Sequence, residues 1–150
     1  MPTSSILVNQ GRDVLIDYMK NSEKSPQINK FFVSEFVLLT GITGNAVVEK
    51  IWDESGTGLD LSQYMITGEL DGAPADARFS ISNRTQGAGK QVRFHCVVPT
   101  LFDTLGTLIQ GLAVLYTTES NEIGLFQYST FDGQNKISGS DLEIFADLQC

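Results

Sequence analysis

His95 is the only histidine in the chain, and imidazole is the side chain that most readily moves protons near neutral pH. A histidine-dependent hydrolase needs that ring between a nucleophile and an orienting acid. No glycine-flanked nucleophile elbow surrounds any serine. The two cysteines, Cys96 and Cys150, together with one histidine cannot fill a four-ligand zinc site without carboxylates. Gly87–Ala88–Gly89–Lys90–Gln91 has the flavour of a phosphate loop, but Arg84 stands where the first glycine is needed. Gln91 stands where the magnesium-binding Ser or Thr is needed. The acidic, glycine-bearing run Asp53–Asp60 lacks the ligand spacing and closing glutamate of a calcium loop. Glu119 and Glu122 flank a turn and read as solvated charges rather than an acid–base pair. The residues therefore assign no catalytic, cofactor-binding or metal-binding group, and the expectation is that the chain is not an enzyme and carries no cofactor.

The side chains that stand out are large and aromatic. Phe31, Phe32 and Phe36 crowd one apolar segment, and Trp52 closes the next. Such residues either fill a core or anchor an interface, where aromatics are enriched. Phe31, Phe32, Phe36 and Trp52 are accordingly the candidate assembly interface.

The elements that must position these residues are mostly strands. Ile6–Leu7–Val8 reads as a short strand. Asn9 is placed to cap a helix over Gly11–Lys20, whose Val14, Leu15, Tyr18 and Met19 share one face. Ile28–Leu39 is aromatic and β-branched, as strands favour, with apolar residues on both faces. Ala46–Trp52 reads as the next strand. Asp53–Asp76 reads as a long surface excursion with one short strand near Tyr64–Ile66. Ala77–Ser82 and Val92–Val98 alternate with period 2, which predicts a hairpin closed by an Asn83–Lys90 loop. Cys96 falls on the apolar parity and reads as a small core residue. Leu101–Ile109 allows a short helix or a turn. Leu112–Thr117 and Glu122–Tyr128 predict a strand pair, Asp132–Gly133 a turn, and Leu142–Leu148 a final strand. The expectation is one mainly β domain over residues 1–150: a β-sandwich or partly open barrel of about seven strands with one N-terminal helix.

Composition agrees with a folded domain, with 41% hydrophobic and 19% charged residues. The net charge of −8 is unevenly spread: residues 101–150 hold seven acids and a single base, Lys136. Such a surface repels phosphate backbones, so direct nucleic-acid binding is not expected; the acidity reads either as solubility or as the complement of a basic partner meeting the C-terminal third. Met1–Ser5 has no positive charge and the apolar stretch behind it is short, which does not predict a signal peptide. No apolar run approaches the ~20 residues of a membrane span.

Three segments resemble the small domains that anchor bacteriophage tail fibres and baseplate proteins. They are Ile6–Leu7–Val8–Asn9–Gln10–Gly11–Arg12–Asp13–Val14–Leu15, Glu122–Ile123–Gly124–Leu125–Phe126 and Ile137–Ser138–Gly139–Ser140–Asp141–Leu142–Glu143–Ile144. They occur in the family's order and span most of the chain. The resemblance implies a virion structural protein, assembled in the host cytoplasm. It would act as a tail, baseplate or fibre adaptor, or as a capsid decoration protein, contacting other virion proteins and forming homo-oligomers, often trimers. The alternative from the residues alone is a cytoplasmic β-sandwich that binds a small ligand or peptide through the Asp53–Asp76 excursion.

Overall fold

The computed structural model describes residues 4–7, 9–20, 31–41, 64–86, 91–121 and 123–149. Among these residues the chain is mainly β, with one helix and eleven strands: β1 (Ser4–Leu7), α1 (Asn9–Lys20), β2 (Phe31–Leu39), β3 (Thr67–Leu70), β4 (Ala73–Asp76), β5 (Arg78–Ser80), β6 (Asn83–Gln86), β7 (Gln91–Val98), β8 (Phe102–Asp103), β9 (Ile109–Thr118), β10 (Ile123–Gln134) and β11 (Leu142–Gln149). They form a five-stranded sheet in the order β1-β10-β9-β2-β5 and two three-stranded sheets, β11-β7-β6 and β4-β3-β8. All pairings are antiparallel. The arrangement is sandwich-like.

The main core lies where the period-2 pattern aims it. Phe94, Cys96 and Val98 of β7, with Ile144 and Ala146 of β11, are buried in one cluster with Phe36 and Leu38 of β2, Leu112 and Val114 of β9, and Phe126 of β10. Val14 brings α1 onto this core, and Tyr18 meets Phe31 edge-on at 5.7 Å. Met19 stays exposed, so the helix buries a narrower stripe than its spacing suggests. The opposite face of the five-stranded sheet carries a second buried cluster of Val37, Leu39, Ala113, Leu115, Leu125 and Tyr128. This accounts for the apolar run Phe36–Leu39 of β2, where both faces are covered.

Several local expectations change. The Ala77–Ser82 segment does not form a hairpin with β7. Its β5 portion pairs with β2 in the five-stranded sheet, and the chain then crosses at Ile81–Ser82 to the other sheet. The strand that does pair with β7 is β6, built from Asn83–Gln86, which the sequence suggested as loop. Residues 64–66 contribute a single bridge between Met65 and Leu39 rather than a strand. The strands of that region are β3 and β4, joined by Asp71–Gly72, both at positive φ as a two-residue hairpin turn demands. Asp132–Gly133 lies within β10, where the register slips between Thr130 and Gln134. Leu101–Ile109 is a turn with the two-residue strand β8, not a helix. The expected strand Ala46–Trp52 lies outside the described residues.

A bulge in β2 is met by side chains from elsewhere. The β2–β9 register shifts between Val33 and Glu35. The carbonyl of Ser34 accepts from the Ile81 N–H at 3.1 Å. That of Val33 accepts from both Nε and Nη2 of the Arg84 guanidinium, on β6 of the facing sheet. Arg84 thus fastens the two sheets together, supplying donors that the interrupted ladder leaves out.

Candidate functional site

His95 sits on the outward face of β7, where side chains alternate between core and solvent. Its ring stacks on Phe145 of β11, its cross-strand neighbour, with centroids 4.8 Å apart. Arg93 lies over the same Phe145 ring and makes a two-pronged ion pair with Asp147 at 2.8 and 3.1 Å. Glu143 Oε2 is 3.3 Å from His95 Nε2 without meeting hydrogen-bond geometry. This is a ladder of cross-strand pairs on a half-exposed surface, each worth a fraction of a kcal/mol, roughly 0.2–1. Cys96, one residue on, points into the core, so the two groups face opposite sides of the strand and cannot form a dyad. Burial pushes the Cys96 thiol up to about 12, which removes its thiolate at neutral pH. Cys150 lies outside the described residues, as do Gly87–Lys90, Asp53–Asp60 and Glu122. Among the described residues, no group of three or more His, Cys, Asp or Glu is placed to hold a metal ion, and no helix is long and apolar enough to cross a membrane.

The four aromatic candidates separate. Phe36 is fully buried in the main core, 5.6 Å from Phe79, and so faces no partner. Phe31 is half-buried among Tyr18, Tyr116 and Phe126. Trp52 lies outside the described residues. Phe32 alone presents itself, 56% exposed on the outer face of the five-stranded sheet. It stands opposite Thr117 of β9, which stands opposite Ile123 of β10, itself 50% exposed. These residues make one cross-strand row beside the second buried cluster. Behind the row, Gly124 pairs with Tyr116, and a Cβ at Gly124 would run into the Tyr116 ring.

A second apolar surface occupies the other end of β9. Leu101, Leu105, Leu108 and Ile137 are all exposed there, Leu105 at 60% and Ile137 at 63%. They lie on two segments tied together by Lys136, whose side chain is 1% exposed although it is a lysine. Its ammonium donates to three backbone carbonyls: Thr100 at 2.9 Å, Phe102 at 2.8 Å and Ile137 at 2.8 Å. All three of its donors are thereby used, which is how a buried charge becomes tolerable. Burial pushes its pKa below the ordinary lysine range, and the carboxylates of Asp103 and Asp141 partly offset this. Thr104 completes the tie, its N–H and hydroxyl both donating to the Lys136 carbonyl at 2.9 and 3.1 Å.

On this fixed frame Leu105 adopts a φ of +54°. That left-handed backbone costs a branched side chain about 1–2 kcal/mol and is a true outlier for leucine. The Asp103 carboxylate holds it there by accepting from the Leu105 N–H at 2.7 Å. The leucine side chain then lines a cleft of about 350 Å³ together with Thr67, Gly68, Glu69, Pro74, Ala75 and Asp76 of the β3–β4 hairpin. Neither Lys136 nor Leu105 figured among the sequence candidates. The one available signal was that Lys136 is the lone base of the last fifty residues.

Comparison with protein-family models, with curated proteins and with solved structures gives no match to the chain.

Proposed function

We propose that this chain is a non-catalytic assembly module that packs against other protein subunits, and that it serves as a tail, baseplate or fibre adaptor of a bacteriophage virion. The observation that carries the assembly reading is the exposed Phe32–Thr117–Ile123 row on a rigid sheet. A large aromatic held on a strand and 56% exposed is the kind of anchor that dominates subunit interfaces. The virion assignment rests on the three resembling segments, two of which lie at the apolar ends: Glu122–Phe126 holds Ile123, and Ile137–Ile144 holds Ile137. Capsid decoration is the neighbouring form of the same reading.

The test is light scattering on the purified chain at several concentrations, paired with mass spectrometry of purified virions. The proposal expects the chain in particles and a self-associated species that Phe32→Ser converts to monomer. A monomer throughout, in a chain missing from particles, overturns it. The cleft beside β3 and β4 favours a second reading, a binding module for a peptide or small ligand. That reading expects a monomer whose melting temperature rises with ligand.

A further inference from the structure

We infer that the Leu105 corner is a docking surface for a basic, extended protein segment carrying an apolar anchor. The cleft has the right chemistry on both counts. Its apolar part is Leu105, Pro74 and Ala75, and its polar rim is Glu69 and Asp76. Asp71 stands at the adjoining hairpin turn. Among the described residues, no lysine or arginine lines the cleft. Lys136, the lone base of residues 101–150, is buried, and the carboxylates of Asp103 and Asp141 beside it offset its charge. The field at the cleft is negative, and a cationic segment is the complement.

The strained backbone points the same way. A leucine at φ +54° followed by Gly106 at +84° is a conformation that glycine or asparagine would take at less cost. The strain holds an aliphatic side chain at the mouth of a cleft, in a loop braced by Asp103, Thr104 and Lys136. Both positive φ values belong to a turn closed by the Thr107 N–H donating to the Thr104 carbonyl at 3.1 Å, and the leucine at its tip is exposed rather than packed in the core. Leu101, Leu108 and Ile137 extend the exposed apolar surface around it. This surface stands at the far end of β9 from Phe32, so the inference does not depend on the assembly reading above.

The probe is a short labelled peptide with a Leu-Trp-Leu centre flanked by Lys and Arg, titrated by fluorescence anisotropy. Its two controls carry Glu and Asp flanks, or a serine centre. The wild-type chain should bind the basic peptide, more weakly as salt rises, and neither control. Leu105→Gly should lower affinity at least about tenfold while leaving the melting temperature unchanged or higher, since it relieves the backbone. Leu105→Asn should behave alike. Glu69→Lys with Asp76→Lys should shift preference to the acidic peptide. Phe32→Ser should leave peptide binding intact, which separates this inference from the assembly reading. Failure of the wild type to bind, equal binding of both charged peptides, or undiminished binding by Leu105→Gly overturns the proposal. So does a fall in the light-scattering mass on Leu105→Gly, which would make a second copy the occupant.

Discussion

The two ends of β9 present apolar side chains to solvent by different means. At one end Phe32 and Ile123 are held by regular pairing: each occupies a ladder position opposite Thr117, and the sheet sets its direction. At the other, Leu105 is held by an irregular loop that depends on a buried ammonium, a carboxylate cap and a left-handed residue. Ten residues of strand separate them, about 30 Å at ~3.3 Å per residue. The first end needs no left-handed residue and no buried ammonium, although the β2–β9 and β10–β9 ladders slip register close by. The irregular end concentrates polar interactions and strain within a few residues, so it should be the more fragile of the two.

The largest effect is expected at Lys136. Lys136→Met leaves three carbonyls without their donor, that of Phe102 buried and those of Thr100 and Ile137 partly so, and should destabilise by about 3–5 kcal/mol in urea unfolding. It should do so while leaving the Phe32 row's self-association intact wherever the protein remains folded. A loss below about 0.5 kcal/mol would show that the tie is ornamental, and the contrast between the ends would collapse.

A pH effect reaches both parts of the molecule: Cys96 and Tyr128 sit mid-sheet, whereas Lys136 at the irregular end has a lowered pKa and works against their decline over the alkaline range. Cys96 and Tyr128 both have raised values, each to about 12, through burial. The unfolded chain therefore releases these protons first. Their stabilisation is complete below pH 9 and is lost as pH climbs through about 12, each group contributing about 1.4 kcal/mol per pH unit. Chemical denaturation from pH 8 to 11 should show the decline, and Cys96→Ala should flatten its lower part. A flat profile in the wild type would contradict the burial of both groups.

The glycines give a finer comparison. A Cβ at Gly68, beside the cleft, would run into the backbone oxygen of Asp103, whereas one at Gly124 would meet only the tip of the Tyr116 ring. Gly68→Ala should cost about 1–3 kcal/mol or more, and Gly124→Ala less, because a ring can shift where a backbone cannot. The reverse order of melting temperatures would show that the regular end is the tighter packed.

The smallest stability change is expected at Phe32. Phe32→Ser should alter unfolding by no more than about 0.5 kcal/mol, whereas Phe36→Ala, four residues along the same strand, should cost about 3–5 kcal/mol. Equal costs would mean that Phe32 is packed within its own chain and is no anchor.

The sequence by itself determined the β class, the helix near the N-terminus, the β9–β10 pair and the final strand. It also placed Cys96 in the core and His95 on the opposite, mixed face, because a period of 2 assigns faces without reference to any partner. It could not tell Phe36 from Phe32, since a strand covered on both faces carries apolar residues at both parities. It took β5 for the partner of β7, because alternation reports a buried face but not which sheet buries it. Asp71–Gly72 carried a legible hairpin signal, obscured by the short strands beside it. Lys136 and Leu105 belonged wholly to the tertiary structure. A lysine is buried only where distant carbonyls converge on it, and a leucine is left-handed only where a fixed frame over-determines its backbone. The long-range ties are those of Lys136 to Thr100 and Phe102, 36 and 34 residues away, and of Thr104 to the Lys136 carbonyl, 32 residues away, and these segments meet only when the sheets are assembled.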